Sequence, residues 1–475
     1  MTWMRMGCGA RTKAIRGVRA ALLVLGAAAL VAVPRPLAAQ QADRETRTPL
    51  TLSEAVAEAL MGNPAHRVSG RRAAIARADA RAIGSGLLPA LEVGTGVTRS
   101  DDPVFAFGTR LRQERFAEAD FALDALNRPD PISDWTMDAG LRWSPLDATR
   151  WAGRSAARSL VDATDWGETW SAEQTVFATK VLYYGAAGAD AALVAAVSEE
   201  EAARAALELF ESREERGLLT RADALQAEAE LRAAEAYRLA AERNVERARE
   251  DLALQLGWEI DRVPAPTDTL LAPPPPDAPR PATTRADVRS LGAAREAAAA
   301  ELRRAGLSFL PRIEGFAGWS SHADRAFGVD GSNWTAGVAL RWTVFAGFGR
   351  VAERQRATEA REIARIRHEE AVRAARAEAA QALRDVHASR AGLEATRAAA
   401  RAAGEARELM RRRFDEGLAT AAEFLQAEAR AAGARSREVA ALVDYNVALA
   451  RLELVASGRS ERVRADGRSS GQENR

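Results

Sequence analysis

Two short segments of the chain alternate between apolar and polar residues. In the first, Trp135 to Trp143, every second residue is apolar, and Trp334 to Trp342 repeats this with tryptophan again at both ends. A two-residue period predicts β-strands. A length of about 9–11 residues with aromatic residues at the ends is typical of strands that cross an outer membrane. We therefore predict membrane strands with Trp135, Trp143, Trp334 and Trp342 at the two membrane interfaces; a half-buried strand of a soluble sandwich is the alternative.

A further strand is predicted before each of these, at Leu91–Arg99 and at Ile313–Ser320. Four strands are too few to close a barrel. An open sheet edge in lipid leaves backbone groups without hydrogen-bond partners, each at a cost of several kcal/mol. Closure must therefore come from further copies of the chain, and the strand count alone allows a dimer, a trimer or a tetramer.

Long helices are predicted after each strand pair. No proline occurs between residues 146 and 263 or after Pro311, and alanine, arginine and glutamate dominate these stretches. Such residues favour helix, and helices of about 65 residues would reach roughly 100 Å. Shorter helices are predicted before each strand pair, from Ser53 to Gly84 with a break at Asn63–Pro64, and from Asp287 to Ala305.

The same order of elements is written twice. Glu215–Leu231 and Asp415–Ala431 are identical at nine of seventeen positions and lie 200 residues apart, while the two tryptophan-bounded strands lie 199 apart. Two matches at nearly one spacing predict an internal duplication. We expect one repeat over residues 40–263 and another over 285–458, each with a helix, a strand pair, a long helix, a Gly-Leu turn and a return helix. The proline-rich residues 264–284 between them favour an extended linker.

The first 39 residues have the order of a secretory signal peptide. Basic residues precede an apolar run, Ala20–Val33, and small residues at Ala38 and Ala39 follow, so we expect cleavage after Ala39. The apolar run is shorter than the roughly 20 residues of a membrane-spanning helix, although an uncleaved anchor is the alternative. No later apolar run is long and uninterrupted enough to predict a transmembrane helix. The polar residues 459–475 are expected to form a disordered tail.

Removing the signal peptide changes the charge and the available chemistry. It leaves 61 of the 67 basic residues against all 66 acidic ones and takes away Cys8, the sole cysteine. The remainder therefore has no basic surplus to attract nucleic acid and no thiol for disulfides. The histidines are not spaced as metal ligands, and we expect no enzyme activity, cofactor or metal; they are His66, His322, His368 and His387.

Several motifs together resemble the TolC-like outer-membrane efflux family. They are LTLSEAVAEALMGNP (Leu50–Pro64), LLPALE (Leu87–Glu92), FLPRIE (Phe309–Glu314) and the duplicated G-L-x-T-x-A-[DE]-x-L-Q-A-E turn. The resemblance implies a mixed α/β, mainly α fold, in which three chains form a twelve-stranded β-barrel in the outer membrane. A periplasmic α-helical barrel would continue it.

The implied function is a passive exit duct of a tripartite efflux or secretion system. A homotrimer would reach from the outer membrane of a Gram-negative-type bacterium into the periplasm, where it would meet a membrane-fusion adaptor and an inner-membrane pump. The alternative is a periplasmic coiled-coil adaptor or structural rod. That alternative accounts for the long helices and the leader but not for the tryptophan-bounded strands.

The resemblance also assigns roles to the repeated turns. Gly217 and Gly417 would be the periplasmic tips, where glycine permits the left-handed conformation of a sharp turn, and Leu218 and Leu418 would be exposed for adaptor docking. The alternative is that the leucines only close the turn internally.

The resemblance also implies that Asp223 and Glu423 lie near the narrow periplasmic end, as a candidate gate. Three-fold symmetry would then bring their copies together and raise their pKa values. The alternative is that each is solvated or paired along the helix with a residue such as Arg221. Gln226 and Gln426 are neutral where a second acidic ring could lie.

Between Arg99 and Ser133 the first strand pair has a long insert, which either caps the outer mouth or is an ordinary tolerated insertion.

Overall fold

The computed structural model describes residues 50–258, 266–268, 270–274 and 285–456. The predicted signal peptide, part of the linker and the predicted disordered tail lie outside the described residues. In chain order the elements are α1 (Leu52–Gly62), α2 (Pro64–Ser85), β1 (Ala90–Ser100), α3 (Pro103–Arg112), α4 (Leu123–Asn127), β2 (Ile132–Leu146), α5 (Ala148–Glu215), α6 (Arg221–Leu256), α7 (Ala286–Leu307), β3 (Arg312–Ala323), β4 (Gly331–Arg341), α8 (Gly349–Asp415) and α9 (Ala421–Ala456).

The fold is mainly helical with one small antiparallel sheet, as the sequence predicts. The predicted break at Asn63–Pro64 is present, because Pro64 occupies the first turn of α2 and the Asn63 side chain accepts a hydrogen bond from the His66 N–H at 3.1 Å. The long helices α5 and α8 contain 68 and 67 residues, which at about 1.5 Å per residue gives each a length of roughly 100 Å.

The sheet has the order β1-β2-β3-β4, with every neighbouring pair antiparallel. The two strand pairs are thereby joined through β2 and β3, and within the described residues β1 and β4 are the two edges. Strand β4 ends at Arg341, one residue before Trp342, the last residue of the predicted alternating segment. Just beyond it, the Trp342 indole donates to the Phe309 carbonyl at 3.0 Å, and Arg350 donates to the Thr343 carbonyl at 2.7 Å.

The helices form four parallel lines, which we call staves. Stave 1 is α6 followed by α2, stave 2 is α5, stave 3 is α9 followed by α7, and stave 4 is α8. Staves 1 and 3 both pack on α5, and stave 3 also packs on α8. Each strand connects directly to one stave, β1 to α2, β2 to α5, β3 to α7 and β4 to α8. The order of the staves is therefore the order of the strands.

Staves 1 and 3 each contain a joint between two helices. In stave 1 the end of α6 meets the start of α2, where the Asn63 side chain donates to the Gln255 carbonyl at 2.9 Å and Gly62 has no space for a Cβ beside the Leu256 carbonyl. In stave 3 the joint lies at Glu378 of α8, which pairs with Arg285 at 2.9 Å and with Arg451 at 3.8 Å.

The described part of the linker lies against the joints. Pro266 forms a parallel bridge with Leu50, and the buried Tyr183 hydroxyl donates to the Leu50 carbonyl at 2.9 Å. Further along, the Asn446 side chain donates to the Leu271 carbonyl at 3.0 Å. These contacts are consistent with the predicted extended connector, and they attach it to α5 and α9.

One described helix, α5, is long and apolar enough to cross a membrane by length and composition, with a mean hydropathy of 1.4 over its most apolar 18 residues. The sequence prediction did not include this helix, because it looked only for uninterrupted apolar runs. Residues 181–198 of α5 hold a single charged side chain, Asp190, which pairs with Arg249 of α6 at 3.0 Å. Because α5 is the helix on which two staves pack, its apolar character also fits a packing role.

The insert in the first strand pair is folded. It contains α3, a single 3-10 turn at Glu118–Phe121, and α4. The buried Gln113 side chain donates to the carbonyls of Ser133, at 2.9 Å, and Ala323, at 3.0 Å. Beside it, His322 and Asp134 form a buried pair with 2.9 Å between Nδ1 and Oδ2. The insert therefore packs across the end of the sheet and is not a loose loop.

Candidate functional site

Both predicted tips are tight turns in which glycine is left-handed. Gly217 has φ +72° and Gly417 has φ +75°. The N–H of the following leucine reaches back to the carbonyl five residues earlier, from Leu218 to Arg213 at 2.9 Å and from Leu418 to Arg413 at 2.7 Å. This is the hydrogen-bond pattern of a Schellman helix end, in which glycine avoids the strain of a Cβ.

The leucines after these glycines face solvent. Leu218 is 68% exposed and Leu418 is 63% exposed. The next residue along, Leu219 in one turn and Ala419 in the other, is the one that packs against buried neighbours. The internal contact is thus made by the following residue, and the leucines are available to a partner.

A cluster of three phenylalanines joins the two tips. Phe210 of α5, Phe414 of α8 and Phe424 of α9 are buried, with ring centroids 4.9–5.9 Å apart. Arg213 adds to it, since its guanidinium lies 4.3 Å from the Phe414 ring centroid and donates to the Phe414 carbonyl at 2.9 Å. Buried aromatic pairs of this kind stabilise a contact beyond the area they bury. The cluster holds the two helical hairpins together at their ends.

Sequence reasoning missed this cluster, because its members do not occupy equivalent positions in the two repeats. The residue 200 positions before Phe424 is Ala224, and the residue 200 positions before Phe414 is Glu214. The available signal was the presence of bulky aromatic residues in stretches otherwise rich in alanine.

Asp223 and Glu423 cap their own helices. The Asp223 carboxylate accepts hydrogen bonds from the Thr220 hydroxyl at 2.7 Å and from the Thr220 N–H at 2.9 Å, while Thr220 accepts one from the Asp223 N–H. Glu423 and Thr420 form the same reciprocal arrangement, with 2.8 and 2.9 Å to the carboxylate. This is a capping box. The spacing T-x-x-[DE] in both turns was the sequence signal for it.

Capping lowers the pKa of both carboxyl groups. The Thr220 hydroxyl, and then its backbone N–H, lower the pKa of Asp223 below its ordinary value. For Glu423 the Thr420 backbone N–H lowers the pKa most, followed by the hydroxyl. Arg221, offered as an example of a helix partner for Asp223, is paired instead with Glu214 at 3.4 Å.

On the side of the phenylalanine cluster that is further from the tips, carboxyl groups line a groove between the α5–α6 hairpin and the α8–α9 hairpin. Burial raises the pKa of Glu199, with a smaller contribution from Glu230, and burial also raises the pKa of Glu428 on the opposite wall. Arg407 and Arg435 lie in the same groove. Among the described residues, no three His, Cys, Asp or Glu side chains are arranged to hold a metal ion.

The sheet has one apolar face and one face on which small, polar and charged residues predominate, with Phe316 as an apolar exception. On the apolar face lie cross-strand pairs such as Leu91 with Leu141 and Trp319 with Trp334. Most of these side chains are exposed, with Trp334 and Val338 each 77% accessible. On the other face, Gly94 lies opposite Asp138. An exposed apolar face beside a polar one is the pattern of a barrel strand between lipid and a water-filled lumen.

The four predicted interface tryptophans divide into two pairs. Trp143 and Trp342 lie where the strands meet the helices, and their indoles donate to the Leu87 and Phe309 carbonyls, each at 3.0 Å. Trp135 and Trp334 lie eight residues away, toward the other end of the sheet. At about 3.3 Å per residue this separation is roughly 26 Å along the strand. At the usual tilt of about 40° it covers about 20 Å of height, most of the apolar band of an outer-membrane barrel, which is about 25 Å tall.

A family model described as outer membrane efflux protein matches residues 55–258 and 282–458. The chain therefore belongs to the outer membrane efflux protein family. No curated protein sequence matches it. The matched segments cover both halves of the chain and leave out part of the linker.

Solved structures have the same fold at low sequence identity. The outer membrane channel CmeC of Campylobacter jejuni aligns with a TM-score of 0.75 and 15% identity, covering 89% of this chain and 89% of that one. The outer membrane protein VceC of Vibrio cholerae gives a TM-score of 0.71 and 21% identity over 86% of this chain and 96% of that one. A membrane protein from Pseudomonas aeruginosa gives 0.74 and 20% over 86% and 93%.

Family and fold together confirm the predicted class. The chain is an outer-membrane exit duct for efflux that reaches into the periplasm, and the family is one of channels rather than enzymes. The alternatives of a soluble sandwich and of a periplasmic adaptor or rod are set aside.

The capping boxes generate a prediction about the tips. Replacing both Thr220 and Thr420 by valine removes the hydroxyls and should fray the starts of α6 and α9. Loss of a threonine cap costs about 1 kcal/mol, or roughly five-fold faster amide exchange. Hydrogen exchange measured by mass spectrometry on peptides covering residues 217–226 and 417–426 tests this.

Acid should reduce the difference between wild type and this variant. Because the folded-state pKa of Asp223 and of Glu423 is lowered, the stabilisation is present at neutral pH. It is lost as the pH falls below about 4, where the carboxyl groups become protonated. Equal exchange in the two proteins at neutral pH would show that the capping box does not hold the tip.

Proposed function

We propose that three copies of this chain form one passive duct, with a shared twelve-stranded barrel continued by a helical tunnel of twelve staves. The observation that carries the proposal is the open four-stranded sheet whose strands each run into a stave in the same order. Because strands and staves share one order, joining β1 of one copy to β4 of the next also brings stave 1 of the first copy beside stave 4 of the second.

The free edges supply the driving force. Unpaired N–H and C=O groups on a strand edge in lipid cost several kcal/mol each, and pairing between copies satisfies them. Repeated closure by the same contact produces a ring with rotational symmetry. The edge argument gives a multiple of four strands, and resemblance to TolC-like ducts favours three copies.

The face that would line the barrel supports an open lumen. It includes five glycines among polar and charged residues, together with one phenylalanine, Phe316, whose ring lies against a glycine of the next strand. The glycines are Gly94, Gly96, Gly140, Gly318 and Gly337. Barrels of about eight strands are filled by their own side chains, whereas larger barrels enclose water. With these glycines on the inner face, twelve strands leave room for a solute to pass.

The two halves of the chain also support an origin by duplication. Each half contributes a short helix, two strands, a long helix, a glycine turn and a return helix, in that order. On this proposal the two tips of each copy are related by the duplication, and six tips would surround the periplasmic opening. A periplasmic adaptor, linked to an inner-membrane pump, would dock on them.

Assembly is tested by the mass of the purified protein in detergent. We expect three chains per particle, with β-strand signal retained in the circular dichroism spectrum. A folded species of one chain with the same strand signal would contradict the proposal, because its two strand edges would be unpaired.

Docking is tested at the exposed leucines of the tips. Replacing Leu218 and Leu418 by aspartate places charge on the surface that the adaptor would cover, so export in cells should be lost while the trimer forms normally. Leu271→Asp is the matched control, since Leu271 is also 68% exposed but lies in the linker. Loss of the trimer in the tip variant would mean that the leucines serve assembly instead.

The gate is tested by separating charge from capping. The variant Asp223→Asn with Glu423→Gln removes the charges and keeps oxygen acceptors for the threonines, whereas Thr220→Val with Thr420→Val keeps the charges. Single-channel recordings in planar bilayers should show lower cation selectivity and weaker divalent-cation block for the first variant. If the threonine variant alone changes conductance, these carboxylates act as caps and not as an electrostatic gate.

A further inference from the structure

Large apolar side chains are exposed at the outer end of the sheet, on two segments that flank its free edges. Val104, at the start of α3, follows β1 and is 81% exposed. Phe327 and Val329, in the turn that precedes β4, are 79% and 61% exposed. Within one copy these residues lie at opposite edges of the sheet, so they form a continuous apolar surface only where the edges of two copies meet.

Phe327 is held in a conformation that disfavours a side chain. Its φ is +57°, in the left-handed region where glycine is the residue without strain. The turn is fixed from within, as Arg325 pairs with Asp330 at 2.9 Å. A bulky aromatic ring is therefore presented to solvent from a rigid, strained turn.

Helix α3 extends across the whole sheet. It starts beside the end of β1, and its last residue, Arg112, has its carbonyl so close to Gly331 of β4 that a Cβ there would overlap it. Ten residues of helix span about 15 Å, and the three spacings between four strands amount to roughly 14 Å. The start of α3 therefore lies at one free edge of the sheet and its end lies at the other.

The position of α3 is fixed by buried polar contacts. Gln113, directly after the helix, is buried and bonded to carbonyls of both β2 and β3, and Arg115 pairs with Asp324 in the β3–β4 turn. The insert and the turn thus form one rigid unit in each copy. Such preorganisation lowers the entropy cost of a contact with a neighbour.

We propose that the β3–β4 turn of one copy packs its Phe327 and Val329 against the start of α3, at Val104, of the next copy. This inference rests on the proposed trimer, since pairing of β1 with β4 brings these two segments side by side. The three α3 helices then follow one another around the outer mouth as a closed ring. The occupant of the exposed apolar surface is a second copy of the same chain.

Cysteine cross-linking tests the contact directly. The mature chain has no native cysteine if the leader with Cys8 is removed. We expect Val104→Cys combined with Phe327→Cys, or with Val329→Cys, to give covalent dimers and trimers on mild oxidation. Each single variant, and the control pair of Val104→Cys with Leu123→Cys, both within the insert, should give no covalent trimer.

The cross-linking result is interpreted together with the mass of the purified protein in detergent. A trimer of normal mass without cross-linking in either pair overturns the inference and leaves the proposed duct intact, whereas absence of the trimer counts against the duct itself. Protection of a Phe327→Cys thiol from a water-soluble maleimide in lipid bilayers, but not in the detergent trimer, would assign the surface to lipid and also overturn the inference.

A second test uses the strained backbone. Phe327→Gly relieves the left-handed strain. If the Phe327 ring has no partner, the temperature of trimer dissociation should therefore stay unchanged or rise. If the ring packs on the neighbouring copy, that temperature falls by several degrees. Glu114→Gly is the matched control, because Glu114 has φ +56° and should behave as simple strain relief. A rise with Phe327→Gly equal to that of the control contradicts the contact.

Discussion

The hydrogen bonds missing at the edges of the sheet govern the architecture. In the proposed duct, strands β1 and β4 each present a row of N–H and C=O groups, and lipid offers no water to satisfy them. Every strand passes directly into a helical stave, so whatever completes the sheet also sets the neighbours of α2 and α8. Three other features serve a purpose only when the edges are paired. They are the apolar face of the sheet, the small residues of its other face and the order of the staves.

At the opposite end of the helices the requirement is different. The tips have no sheet edges that must be paired in lipid, and they are held by a local set of contacts. The phenylalanine cluster and Arg213 join α5 to α8 and α9, and each return helix is started by a threonine and a carboxylate from its own first turn. The leucines beyond these contacts remain free. A rigid frame that carries exposed apolar residues is suited to binding a partner without rearrangement.

Much of this could be predicted from the sequence because the signals are local. Alternation placed the strands, proline-free stretches placed α5 and α8, and the glycines at 217 and 417 placed the turns. The phenylalanine cluster escaped prediction because it joins Phe210 to residues about two hundred positions away. For Asp223 the expectation concerned only a gate, and the hydrogen bond that it accepts from Thr220, three residues before it, was not predicted. The packing of the insert depends on Gln113 reaching β3, which no local pattern encodes.

The staves are of two mechanical kinds. Those made of α5 and α8 are continuous rods, in which every turn of helix is bonded to the next along the whole length. Those made of two helices are interrupted midway, and in stave 1 the junction is spanned by Asn63 and by close backbone contact at Gly62. Such a junction resists compression but has no backbone hydrogen-bond ladder to resist bending. Torque applied at the tips is therefore carried by α5 and α8, while any flexing is confined to one level, where the linker is attached.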